Sequence, residues 1–154
     1  MELETLQALL DIRSITDQLS LWCRIRDSLE LSRMSEVFDN DVAWDYGQGI
    51  TENSLEGVVR KISGYVIGNE SCGASHHHIA NIRVDVRGDE AESEAYFFAV
   101  QAGAAAWTGK TLMEWGNYRD FWQRKTQGWR IVRRLYQTDI TAGPAEIIFG
   151  SRIP

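Results

Sequence analysis

The apolar residues of this chain recur at helical spacing up to about residue 67, broken by one short strand, and at strand spacing from residue 79 onward. The period does not change back. Only two prolines occur, Pro144 and Pro154, so nothing before the tail forces an element to end. Helices first and long alternating strands afterwards make an α+β fold, not an alternating α/β one. The 154 residues suit a single domain spanning 1–154, long enough to bury its own core.

The first thirty residues place Leu3, Leu6, Leu10, Ile12, Ile15, Leu19, Trp22, Ile25 and Leu29 along one buried face. Ser14 or Thr16 is placed to cap a second segment, so the pattern admits one helix or two meeting near Arg13. A short helix fits Ser32 to Phe38, Asp39-Asn40-Asp41 a turn, and Val42 to Tyr46 a short strand closed by Gly47-Gln48-Gly49. Ser54 to Ile67 is helical, with Ser54 as N-cap and Gly68 as stop. Ile82, Val84 and Val86 then alternate with polar residues, and Arg87-Gly88-Asp89-Glu90 makes a hairpin turn. Ala91 to Trp107, Thr111 to Arg124 and Trp129 to Asp139 are further strands. A long curved sheet wrapped around helices leaves a cone with one open end, a natural small-molecule site.

Composition excludes several partners. The net charge of −6 and the lack of a Lys/Arg cluster argue against nucleic acid. No apolar run approaches the roughly 18 residues of a membrane span, and the acidic, amphipathic N-terminus (Glu2, Glu4, Asp11) is unlike a signal peptide. Cys23 and Cys72 form neither a CxxC nor a metal-type spacing and read as reduced thiols of a cytoplasmic protein. Six Trp, five Tyr and five Phe suggest a large aromatic core or a pocket for a flat apolar ligand.

Chemistry concentrates in two places. Ser75-His76-His77-His78-Ile79-Ala80-Asn81 holds every histidine of the chain. Adjacent strand residues point to opposite faces, so the three do not converge on a metal, and the plain alternative is a strand end with surface histidines. Asp27 ends the first helical stretch at the edge of its apolar stripe, where the plain alternative is a solvated carboxylate.

The residues from Asp27 to Tyr46 resemble the scytalone dehydratase family and the wider SnoaL-like branch of the NTF2-like, cystatin-like superfamily. The matching pieces are Asp27, Met34-Ser35-Glu36-Val37-Phe38, Asp39-Asn40-Asp41 and Asp45-Tyr46. Ser75 to Asn81 resembles the family's strand start with its His. Val84 to Ala91 is similar to its hairpin, and Gly128-Trp129-Arg130-Ile131 to the start of its last strand. The resemblance covers nearly the whole chain.

It implies a cone-shaped sheet around N-terminal helices, a homotrimer, and a metal-free, cofactor-free Asp-His dyad made of Asp27 and His77. A neutral imidazole can take a proton from carbon while a carboxylate fixes its tautomer. Simple alternation from Ile82, however, puts His76 and His78 on the core side and His77 opposite. Either a bulge near Ala80 shifts the parity, or the working residue is His78; the motif favours His77.

Trp22 stands where family members carry Tyr or Lys, and polar family positions fall near Gly103, Gly116 and Tyr118. Tyr46 matches a substrate-polarising Tyr. Arg134 matches a family Arg, with Arg133 of opposite parity as its alternative. Trp22, Tyr46, His78, Tyr118 and Arg134 are therefore the expected substrate-binding residues, each weighed against an ordinary core or surface role. The expected function is a lyase, a dehydratase or related β-elimination enzyme, acting on a small cyclic, partly apolar substrate. The alternatives are an isomerase or cyclase of the ketosteroid-isomerase or polyketide-cyclase kind and a non-catalytic binding module. The tail with Ile147, Ile148 and Phe149 is expected to cap the cavity mouth or pack on a neighbour.

Overall fold

The computed structural model describes residues 2–150. The side chain of Leu3 and the last four residues of the expected apolar tail lie outside the described residues.

The N-terminal stretch is one helix, α1 (Glu2–Ser28). The expected break near Arg13 does not occur. Thr16 donates its hydroxyl back to the Ile12 carbonyl at 2.8 Å, an interior helical contact and not a cap. Arg13 pairs with Asp17 one turn on. The buried stripe begins at Ile15 and continues through Leu19, Trp22 and Ile25, whereas Leu6, Leu10 and Ile12 are exposed. The early turns bury Asp11 instead, whose carboxylate receives Arg124 at 2.7 and 2.8 Å and the Trp129 indole at 3.1 Å.

A 3₁₀ turn (Leu31–Glu36) leads into β1 (Phe38–Asp45). The expected Asp39-Asn40-Asp41 turn lies inside that strand. The pairing of β1 with the last strand slips between Phe38 and Ala43, so the acidic triplet is an irregular stretch of strand. After the short β2 (Ile50–Glu52) comes α2 (Leu55–Val66), whose N-cap Ser54 accepts from the Gly57 N–H at 3.1 Å. Gly68 at φ +69° ends the helical run in a conformation glycine adopts freely.

Four long strands follow: β3 (Cys72–Arg87), β4 (Glu90–Gly103), β5 (Thr111–Lys125) and β6 (Gly128–Ala142). The strand expected to reach Trp107 stops at Gly103, where a 3₁₀ turn (Ala105–Trp107) intervenes. The sheet order is β2-β1-β6-β5-β4-β3, antiparallel except where β1 lies parallel to β6. The sheet is curved and unclosed, and with the N-terminal helices it makes the expected α+β cone. Helix α1 packs on β3 and β6, and α2 packs on β1. The final turn α3 (Glu146–Phe149) packs on α2 and β4. No helix among the described residues is long and apolar enough to cross a membrane.

Two one-residue bulges decide which side chains face inward. In β3, Ala80 pairs with Tyr96 and Arg83 with Glu94, so three steps on one strand meet two on the other. Asn81 occupies the bulge with φ +53°, a left-handed conformation that Asn tolerates better than most residues. Ser75, His77 and Ile79 face inward before it, and Ile82, Val84 and Val86 after it. In β6, Trp122 pairs with Ile131 and Phe121 with Arg133, leaving Val132 unpaired. That shift buries Arg134 and leaves Arg133 exposed, which resolves the choice between the two arginines.

Candidate functional site

Helix α1, strands β1 to β6, helix α2 and the C-terminal turn line a cavity of about 390 Å³. That is within the usual range for small-ligand sites. Its walls are largely aromatic: Trp22, Trp44, Tyr46, Tyr65, Tyr136 and Phe149. The polar groups are Arg26, Gln48, Thr51, Lys61, His77, Gln101, Glu114 and Thr138. Ile148 and Phe149 line it from α3, and the Asn69 amide reaches the Ile147 and Ile148 carbonyls at 3.1 and 2.9 Å. The tail thus caps the cavity of its own chain. At the other end, the Asp45 carboxylate accepts from the backbone N–H groups of Gly47, Gln48 and Gly49 at 2.7, 3.1 and 3.0 Å. This pins the loop that presents Tyr46 and Gln48.

Asp27 and His77 meet at the wall of this cavity, which His77 lines. The last full turn of α1 brings Asp27 against the inward face of β3, and the Asn81 bulge turns His77 toward it. His77 Nδ1 lies 2.6 Å from Asp27 Oδ1. The His77 backbone N–H donates to Oδ2 at 2.9 Å, and the Ser75 hydroxyl donates to Oδ1 at 3.1 Å. The carboxylate therefore grips both the ring and the backbone of the same residue.

Burial works to raise the Asp27 pKa, but the His77 ring, the His77 backbone and Ser75 outweigh it, and the carboxyl sits below its ordinary value. Burial likewise lowers the His77 pKa. The Asp27 hydrogen bond opposes that, the Arg26 charge reinforces it, and the net direction is down. The pair is an anionic carboxylate holding a neutral imidazole. Nδ1–H faces Asp27, so the lone pair resides on Nε2. Among the described residues Nε2 has no hydrogen-bond partner, and His77 lines the cavity. This arrangement can accept a proton at Nε2 and stabilise the imidazolium that results.

The remaining sequence-derived positions divide. Trp22 and Tyr46 line the cavity. Tyr46 makes tilted ring contacts with Trp44 and Tyr136, and Lys61 Nζ sits 4.8 Å from its ring centroid. His78 does not line it: it is exposed on the outer face of the sheet, between His76 and Phe98. Tyr118 is buried in the core, its hydroxyl accepting from the Trp22 indole at 3.4 Å.

Arg134 is fully buried and forms two 2.7 Å contacts with the equally buried Asp120. The rings of Trp22, Phe38, Trp44 and Tyr118 surround it at 4.1 to 5.3 Å. It is a core ion pair behind the cavity wall, not a group that reaches the cavity. The glycines at two expected polar positions are tightly covered. A Cβ at Gly103 would collide with the Trp107 carbonyl oxygen, and one at Gly116 with that of Gln137.

Arg26, Lys61, Gln101, Glu114 and Tyr136 line the cavity without having been singled out in the sequence. Signals for three of them were present. Arg26 follows Trp22 by one helical turn. Glu114 shares strand parity with the buried Leu112 and Tyr118, as Gln101 does with Phe97 and Ala99. Tyr136 required the β6 bulge, which no residue type announces. Among the described residues, no group of three or more His, Cys, Asp or Glu side chains is placed to hold a metal ion.

Comparison with known proteins agrees with this architecture. The SnoaL-like domain family model matches residues 7–135. A Novosphingobium aromaticivorans protein named as a scytalone dehydratase superposes with a TM-score of 0.79 at 20% identity, covering 91% of each chain. An NTF2-like superfamily protein of Salmonella enterica superposes at 0.72 with 17% identity, covering 90% of this chain and 94% of the other. A hexachlorocyclohexane dehydrochlorinase of Novosphingobium barchaimii superposes at 0.71 with 15% identity, covering 100% of this chain and 99% of its own. At such identities the likeness is one of fold. No curated protein compared with the sequence is a match.

Proposed function

Since the chain belongs to the SnoaL-like domain family, we propose that it is a cofactor-independent lyase, one domain over residues 1–154, using Asp27 and His77 on a small cyclic, partly apolar substrate. The observation that carries this reading is the 2.6 Å contact between Asp27 and His77 Nδ1 at the wall of an aromatic cavity. It leaves Nε2 as the basic atom. Dehydratase and dehydrochlorinase names among the structural neighbours favour elimination.

In that reaction His77 Nε2 removes a proton from carbon next to a carbonyl or similar activating group. The C–H electrons form the new double bond, and the bond to the β-leaving group breaks with its electron pair. When hydroxide leaves, the proton on Nε2 passes to it and water departs, restoring the neutral imidazole. Asp27 stabilises the imidazolium between these two steps. Trp22 and Tyr46 position the ring, and Tyr46, whose phenol burial holds in its neutral form, is a donor for the carbonyl oxygen.

The outer face of the sheet exposes Tyr96, Trp115 and Ile140 beside the Phe98–Trp115 ring pair. These residues favour burial against other copies, as a homotrimer. The free thiols Cys23 and Cys72 favour a cytoplasmic location.

The test follows ultraviolet change across a panel of cyclic β-hydroxy ketones. His77→Ala is expected to lower turnover by about 100-fold or more with the fold intact. Undiminished turnover overturns the dyad. Deuterium uptake from solvent without elimination selects isomerisation instead.

A further inference from the structure

Arg26 is a buried cation with no counter-ion. Its residue is only 8% exposed, yet among the described residues it makes no hydrogen bond and no ion pair. The other buried arginine among the described residues, Arg134, has found its anion in Asp120. Arg26 also lies in the last turn of α1, where a cation meets the negative end of the helix dipole, but it bonds to none of the final carbonyls. Its side chain goes to the cavity, one helical turn beyond Trp22, and lines the same space as His77. Its charge is felt by Tyr46, Cys72, His77 and Glu114. With no protein anion beside it among the described residues, this guanidinium is left for something in the cavity to pair.

The cavity's own anions do not fill that role. The Asp27 carboxylate is occupied by three donors, two from His77 and one from Ser75. Glu114 is not within ion-pair distance of Arg26; it accepts from the Gln101 amide at 3.3 Å, and burial pushes its carboxyl toward the neutral form. Lys61 adds a second cation, seated over the Tyr46 ring. The walls are thus aromatic and the unmatched charge is positive.

We propose that the ligand of this cavity is a ring carboxylic acid, its carboxylate paired with Arg26 and its ring held between Trp22, Trp44 and Tyr136. The planar fork of a guanidinium suits two parallel bonds to a carboxylate. The inference deepens the reading of this cavity as a substrate site and names the acid group of that substrate. It also gives the carboxylate a chemical use. Anchored at Arg26, it fixes which ring carbon faces Nε2.

The experiment measures quenching of tryptophan fluorescence by matched probes: benzoate, salicylate and cyclohexanecarboxylate against their primary amides. With the wild-type protein each acid is expected to bind at least about tenfold more tightly than its amide. Arg26→Gln is expected to bring the acid down to the level of the amide while amide binding stays. Lys61→Gln is expected to have a smaller effect. Equal binding of acids and amides, failure of every acid to saturate, or a preference that survives in Arg26→Gln each overturn the proposal. If Arg26→Gln does not fold, the wild-type comparison and Arg26→Lys, expected to retain only part of the preference, decide. The acid preference is also expected to persist in His77→Ala. The binding proposal and the elimination reading therefore fail separately.

Discussion

The ion pair of Arg134 and Asp120 is the most demanding feature of the core, and breaking it has a calculable effect. Both side chains are fully buried and meet through two contacts of 2.7 Å. Among the described residues the third guanidinium nitrogen, Nη1, has no partner, and Asp120 supplies the only side-chain hydrogen bonds this cation has. Asp120→Ala removes them and leaves a charge enclosed by four aromatic rings. Stranding one member of a buried pair costs about 3–5 kcal/mol. The rings recover part of that through cation–π attraction, the nearest being Tyr118 at 4.1 Å. At roughly 2–4 °C per kcal/mol for a domain of this size, the melting temperature should fall by roughly 6–20 °C. Urea titration followed by tryptophan fluorescence measures the same loss as a lower midpoint at unchanged slope. The double variant Asp120→Leu with Arg134→Met, which leaves no charge behind, should be more stable than Asp120→Ala alone. A loss below about 1 kcal/mol in Asp120→Ala, or a double variant less stable than the single one, would refute the assignment of this pair as a core element.

Two further outcomes test other parts of the fold. Asn81→Gly should leave stability and His77 orientation nearly unchanged, whereas Asn81→Val should cost about 1–2 kcal/mol, because a β-branched residue resists the left-handed backbone of the bulge; thermal melts of the two variants decide. Asp11, held at about 2 by Arg124 against the penalty of burial, contributes about 2 kcal/mol at neutral pH relative to its ordinary 3.8. A depressed carboxyl pKa stabilises above the unfolded value, so the advantage of wild type over Asp11→Asn should vanish as pH falls from about 4 to about 2 in acid-unfolding curves.

The fold was legible in the sequence because its period changes once. Three-or-four spacing specifies α1 and α2, alternation specifies the four long strands, and Ser54, Gly88 and Gly128 punctuate them. The errors came where tertiary structure overrides local pattern. The Asp39-Asn40-Asp41 triplet has turn chemistry, with the Asp41 N–H donating to Asp39 Oδ1 at 3.1 Å, yet pairing with β6 at Phe38 before it and at Ala43 after it keeps it within one strand. Leu6, Leu10 and Ile12 keep helical spacing but lie on turns of α1 that stay exposed ahead of the buried stripe from Ile15. The site was half legible. Trp22 and Tyr46 line the cavity, His77 reaches it because a bulge does sit beside Ala80, and Asp27 holds His77 from behind the wall. Arg134 pairs with Asp120 and Tyr118 with the Trp22 indole in the core, a burial that residue type alone does not reveal. Glu114 and Gln101 were hidden for the opposite reason. Polar residues inside a strand read as outward-facing unless parity is followed through from the apolar neighbours.

The central claim is that Asp27 holds His77 as a neutral base with Nε2 free. Nitrogen-detected NMR of the imidazole, titrated with pH and assigned with His77→Gln, tests it directly. The account predicts a proton on Nδ1 and none on Nε2 at pH 7, with a pKa below the ordinary 6.5. In Asp27→Asn the preference for that tautomer should be lost. An Nε2–H tautomer at pH 7, or an imidazolium persisting above pH 6.5, would contradict it.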